Sequence, residues 1–170
     1  MIEAVVYCSR CGHTFKYALK LANSLGLPLL KIGEAKRKLK RNDNIIFISW
    51  VMENKIVNYN KLSKFHIDSV IAVGIMPPSA DVLKELNTEN LLYSKLFYVR
   101  GGIEKKKLGL GKRFKLKMIE NNLSFELLDS GLTKAKASTL DAIINDLDFT
   151  DLATLDEIIY YYGEKTNIIC

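Results

Sequence analysis

The chain has 170 residues, 48% hydrophobic and 26% charged, the proportions of a folded globular protein long enough for one well-filled core. Its three cysteines, Cys8, Cys11 and Cys170, are too few and too unevenly spaced for a secreted disulfide framework and point to a reducing, cytoplasmic setting. A formal charge of +6 favours anionic partners. No apolar run reaches the ~20 residues of a membrane-spanning helix, and the N-terminus has neither the basic region nor the cleavage site of a signal peptide.

Residues 2–7 (IEAVVY) are apolar and β-branched, the composition of a buried strand. Phe15, Ala18, Leu19, Ala22 and Leu25 then recur at helical spacing, and Gly26 and Pro28 supply a stop signal. A short second strand is expected over 29–32. The polar, basic residues 33–43 suit an exposed short helix or a loop. Residues 44–50, 68–75 and 94–99 are further strand-like runs. Between them, 57–64 and 79–86 are compatible with helices, the latter opened by Pro77-Pro78. Strands that are continuously apolar rather than alternating, separated by helices, predict a parallel sheet covered on both faces.

Residues 112–119 predict a basic helix of poor periodicity, and 125–128 an extra strand or a loop. Ser138 marks a helix start, with Leu140, Ile143, Ile144 and Leu147 on one face. Thr150 is the expected N-cap of a last helix that turns Leu152, Leu155, Ile159 and Tyr162 inward. No repeat, low-complexity tract or linker divides the chain. The expectation is one domain over residues 1–170, an α/β doubly wound sheet of about five parallel strands with helices on both faces.

The stretch richest in chemistry is YCSRCGHT, residues 7–14, between the first strand and the first helix. Three readings compete. Cys8 and Cys11 form a C-x-x-C at a helix start, where the helix dipole lowers a thiol pKa. Against a dithiol oxidoreductase, Pro77-Pro78 opens a helix rather than facing the dithiol, and small apolar packing accounts for both cysteines. A zinc site would need more ligands than Cys8, Cys11 and His13 supply, and His66 is the only other histidine. The third reading is an anion cradle. Ser9 and Thr14 bring hydroxyls, Gly12 allows close backbone approach, Arg10 adds charge, and the helix start offers free N–H groups.

Ser9-Arg10-Cys11-Gly12-His13-Thr14 resembles the phosphate loop of the flavodoxins, (S/T)-x-T-G-x-T, with Cys11 in place of the middle threonine. The S-R-x-G-x-T form, LFYVRGG before a basic helix, and LDFTD before the last helix are similar to the flavodoxin-domain branch that includes menaquinone-dependent protoporphyrinogen oxidase. The resemblance runs from the first strand to the last helix and is weakest over 120–141. It implies a flavodoxin-like fold and FMN as cofactor. It places the phosphate on Ser9, Arg10, Cys11, Gly12, His13 and Thr14, and the ring between the loops holding Trp50, Val51 and Met52 and holding Gly74 and Ile75. No catalytic residue is implied, because a flavin carries its own electron chemistry.

The implied activity is electron transfer or a small flavin-dependent oxidoreduction. Its partners would be a redox protein or an anionic small molecule such as a quinone or porphyrin. The basic residues of 105–117 suit a solvated face, or peripheral contact with a membrane. Nucleic acid is not expected, for want of stacking aromatics among the lysines. A regulatory or binding module on the same fold, without flavin, is the alternative.

Overall fold

The computed structural model describes residues 1–166; Cys170, the third cysteine, lies outside them. Five strands form the parallel sheet: β1 (Ala4–Cys8), β2 (Leu29–Lys31), β3 (Asn44–Met52), β5 (His66–Gly74) and β6 (Lys95–Arg100), in the order β2-β1-β3-β5-β6. A two-residue strand, β4 (Lys55–Ile56), adds to β3 as an antiparallel hairpin. Among the strands of the main sheet, all neighbours are parallel. With β4 set aside this is the flavodoxin-like strand order 2-1-3-4-5, which reverses between β1 and β3.

The sheet is parallel because its strands are apolar on both sides. Ala4 to Val6, Ile45 to Ile48 and Val70 to Val73 are buried without interruption, so both faces must be covered. On one face Val5, Ile46, Ile48, Ile71 and Val99 pack against α1 (His13–Leu25) and α6 (Asp156–Thr166). On the other, Val6, Phe47, Val70 and Ala72 pack against Ala35 of α2 (Ile32–Lys38), Val82 and Leu86 of α3 (Ala80–Asn90), and Leu62 and Phe65. Tyr162 reaches into the first layer, where its hydroxyl donates to Asp68 at 2.7 Å and pairs with Ser69.

Several boundaries differ from the sequence expectation. Residues 57–64 form only a 3₁₀ turn, Tyr59–Leu62, because β3 runs on into the hairpin. The hairpin turns through Glu53 and Asn54, both at positive φ (50° and 58°), as a two-residue turn of this hand requires. The α1 face is rotated: Tyr17, Ala18, Leu21 and Ala22 are buried, while Phe15 and Leu19 are partly exposed. Tyr17 wins the interior because its hydroxyl finds partners there. It donates to the Arg100 carbonyl at 2.6 Å and accepts from the Asp151 N–H at 2.9 Å.

The last helix is not capped by Thr150. Asp151 caps a 3₁₀ turn, Leu152–Leu155, accepting from the Ala153 N–H; in this turn Leu155 is buried and Leu152 partly exposed, and in α6, which follows, Ile158 and Tyr162 are buried.

The largest departure is the segment after β6. Residues 125–128 are neither strand nor loop but part of α4 (Leu110–Asp129), a helix of 20 residues. α5 (Lys134–Asn145) starts four residues before Ser138, with Thr133 as the N-cap that accepts from the Lys136 N–H. Leu140, Ala142 and Ile143 of α5 are buried, whereas Ile144 is half exposed. Together α4 and α5 form a helical hairpin that shares a small apolar cluster with the carboxyl end of the sheet. The cluster holds Ile103, Leu108, Leu116 and Ile143, with Cys11, Met52 and Ile75 against it.

Candidate functional site

The strand register brings the ends of four parallel strands to one edge. Cys8 is level with Ser49, Trp50 with Val73, and Gly74 with Arg100. Beyond this edge, at the reversal of strand order, lies a cavity of about 270 Å³. Ligand clefts typically enclose ~300–1,000 Å³, and in open α/β sheets they lie at this point. Cys11, His13 and Thr14 border it below. Trp50, Met52 and Ile75 form walls, and Leu108, just before α4, roofs it together with Leu116 and Ile119 of α4.

Of the loop residues expected at a site, Arg10, Cys11, His13 and Thr14 reach the cavity, as do Trp50, Val51, Met52, Gly74 and Ile75. Ser9 and Gly12 do not line it. Gly12 precedes α1 at φ 103°, and no side chain caps the helix. Its first N–H groups therefore have no side-chain acceptor, and the helix dipole adds positive potential there. Two polar atoms beside this helix start are buried without a hydrogen-bond partner, Ser9 Oγ and His13 Nε2. Orphaned polar atoms of this kind are costly and are expected to meet a ligand or water.

His13 is held by its other nitrogen. Nδ1 lies 3.1 Å from Asp148 Oδ1 and 3.2 Å from Thr150 Oγ1. With Asp148 accepting from Nδ1, Nε2 is an acceptor in the neutral ring and a donor in the imidazolium. Burial pushes the Asp148 carboxyl up, but hydrogen bonds from Thr150 and the charges of His13 and Lys16 outweigh it and hold the group below its ordinary value. Neither Asp148 nor Thr150 was singled out for the site by sequence; only the tertiary fold carries them to α1. Gly102 makes that approach fit. A Cβ there would stand 2.7 Å from His13 Cε1 and 2.9 Å from Asp148 Cα.

Arg10 and Cys11 turn towards the segment after β6. Arg10 Nε donates to the Lys107 carbonyl at 3.0 Å, and Cys11 Sγ lies 3.6 Å from the Glu104 carbonyl. Burial is the main cause that pushes the Cys11 thiol up. This is the reverse of the dipole-lowered thiol that a dithiol mechanism needs. Cys8 accepts from Asn58 Nδ2 at 3.2 Å, and neither cysteine is in a disulfide. Among the described residues no cluster of three or more His, Cys, Asp or Glu side chains is placed to hold a metal ion. His66 begins β5, so the parallel topology puts it at the opposite edge from Cys8.

Trp50 has one ring face taken: Lys112 Nζ of α4 stands 4.0 Å from its centroid. Desolvation lowers the Lys112 pKa there. Gly74 is required by packing, since a Cβ would fall 2.2 Å from the Tyr98 hydroxyl. That hydroxyl donates to the Met76 carbonyl at 2.9 Å, and burial raises its pKa far above the usual tyrosine range. Arg100 ties the edge together, donating to the Ile75 carbonyl at 2.8 Å and to Ser138 Oγ at 3.1 Å while stacking on Phe149. Ser138 is therefore a contact to the sheet edge rather than the cap of a helix.

No protein-family model matches the chain, and no curated protein matches it. The narrower resemblance to the protoporphyrinogen oxidase branch accordingly gains no support. Among solved structures, a flavodoxin from the domain Archaea is similar at 16% identity, over 71% of this chain and 98% of its own, with a TM-score of 0.38. The strand order defines the architecture independently of that similarity: a doubly wound, flavodoxin-like α/β fold whose cavity lies at the β1/β3 reversal.

Proposed function

We propose that this flavodoxin-like chain binds FMN and serves in electron transfer or as a small flavin-dependent oxidoreductase. The observation that carries the reading is the apolar cavity at the strand-order reversal, bordered by Thr14 and by His13 with its orphaned Nε2 at an α1 N-terminus without a side-chain cap, beside which Ser9 Oγ is also orphaned. These residues fit an anion joined to a flat ring. The first turn of α1, with Ser9, His13 and Thr14, would hold the phosphate. Trp50, Met52, Gly74 and Ile75 would border the ring, and Cys11 would separate the two. Bound flavin supplies the redox chemistry.

The chain's own part is to orient the ring and exclude water from it, which falls to Leu108, Leu116 and Ile119. Arg10, Lys107 and Lys112, near the mouth, give an anionic substrate or redox partner an attractive field. The unpaired thiols of Cys8 and Cys11 are in keeping with a reducing, cytoplasmic setting.

The test is the visible spectrum of the purified protein, followed by titration with FMN and with riboflavin. FMN should bind more tightly than riboflavin, through its phosphate. The Ser9→Ala/Thr14→Val variant should weaken FMN binding by about tenfold, one to two hydrogen bonds' worth, and leave riboflavin binding unchanged. Equal affinities for the two flavins would remove the phosphate site. A colourless protein that binds neither would leave the cavity to a different apolar ligand.

A further inference from the structure

α4 is apolar on two opposite faces. Leu116, Ile119 and Leu123 pack down onto the cavity and its small core. At 3.6 residues per turn, Leu110, Phe114, Met118, Phe125 and Leu128 fall on the other side within one stripe. All five are exposed, Leu110 and Leu128 at 84% and Phe125 at 71%. Single exposed apolar residues need no explanation, but a stripe of five along a helix of 20 residues, interrupted by Asn121, does.

The charges of α4 indicate what covers the stripe. Lys112, Arg113, Lys115 and Lys117 occupy the first half, and Glu120, Glu126 and Asp129 the second; Lys115, Lys117, Glu120 and Glu126 stand in exposed ion pairs within the chain, which are weak enough to exchange partners. A second α4 laid antiparallel sets each basic half against an acidic half. The apolar stripe is self-complementary in the same arrangement. With the two-fold axis between residues 119 and 120, Phe114 of one copy faces Phe125 of the other. Leu110 then falls near Leu128. A parallel pair would set like charges side by side. An anionic membrane would attract the first half and repel the second.

We propose that two copies of this chain associate through an antiparallel α4–α4 pair. The contact is isologous, as two-fold dimers require. The stripe offers on the order of 600 Å² per copy, which when doubled reaches the ~1,200 Å² low end of specific interfaces. The inference is independent of flavin binding. It gives the roof of the cavity a second buried face, so that association and cavity closure reinforce one another.

Sedimentation of the full chain over a wide concentration range tests it. The wild type should show a monomer–dimer equilibrium. Phe114→Lys and Phe125→Glu should each weaken it by about tenfold or more, as for aromatic interface anchors. The double variant should regain most of that loss, because the two new charges face each other only in the antiparallel register. Both positions are exposed, so folding is not at stake; circular dichroism verifies this, and Leu128→Glu provides a third probe. A wild type that stays monomeric, or singles that dimerise unchanged, would overturn the proposal, as would a double variant whose losses simply add. So would a monomer that floats with phosphatidylserine vesicles, which would make the stripe a membrane face.

Discussion

At the residue scale, the start of α1 is built from side chains that belong to distant parts of the chain. Asp148 and Thr150 hold His13 Nδ1, Gly102 leaves room for both, and Tyr17 bonds the ends of β6 and of the segment that follows Thr150. Asp148 carries a pH dependence. Its folded pKa is depressed below an unfolded value of ~3.9, so its ionised form stabilises the fold above about pH 4, and that contribution is lost as pH falls through the folded value. Asp148→Asn should therefore melt at a lower temperature than wild type at neutral pH, and the two curves should converge on acidification towards pH ~2. A constant gap between them from neutral to strongly acid pH would show that the carboxylate's charge does not contribute.

At the element scale, the full extent of α4 is what sequence periodicity could not reveal: the sequence predicts a helix over 112–119 and another from Ser138, but not the continuation of α4 to Asp129. A helix with one apolar face gives a clear 3.6-residue signal, but α4 has apolar residues on opposite faces, and the two signals cancel. Its basic residues are mostly tied to the rest of the molecule. Lys112 covers Trp50, Lys115 pairs with Glu53 of the hairpin turn at 2.5 Å, and Arg113 donates to the carbonyls of Lys105 and Lys106. Exposed pairs of this kind hold a helix in place only weakly, so the roof depends on its apolar contacts. Leu116 is the one buried side chain of α4. Leu116→Ala should cost about 2–3 kcal/mol, the lower part of the range for a buried leucine. It should also make 105–147 more sensitive to limited proteolysis while the sheet stays protected. Uniform loss of protection across the chain would mean that the hairpin and the sheet unfold together.

For the whole molecule, a two-layer core surrounds the sheet, and a much smaller cluster joins the helical hairpin to it. Local stability follows buried apolar contact. Amide exchange should thus be slowest in β3 and β5, which are paired on both sides, and faster by orders of magnitude in α4 and α5. Equal protection in the hairpin and in β3 would contradict that hierarchy. The same arrangement suits a site whose floor is rigid and whose roof opens to admit a ligand.

The sequence by itself determined the parallel sheet, because strands apolar on both sides have no other stable arrangement. It also determined the first loop, where a short run of Ser, Gly and Thr leads directly into a helix. Only the tertiary structure decided what surrounds that loop. Asp148 and Thr150 meet His13 across more than a hundred residues of chain, and no local pattern encodes such a contact. The tertiary fold also turned Tyr17 inward, reduced the helix expected over 57–64 to a 3₁₀ turn after the β3–β4 hairpin, and raised rather than lowered the Cys11 thiol pKa by burying it. Periodicity records one face of one element at a time, whereas burial, charge and hydrogen bonding at this edge depend on several elements meeting there.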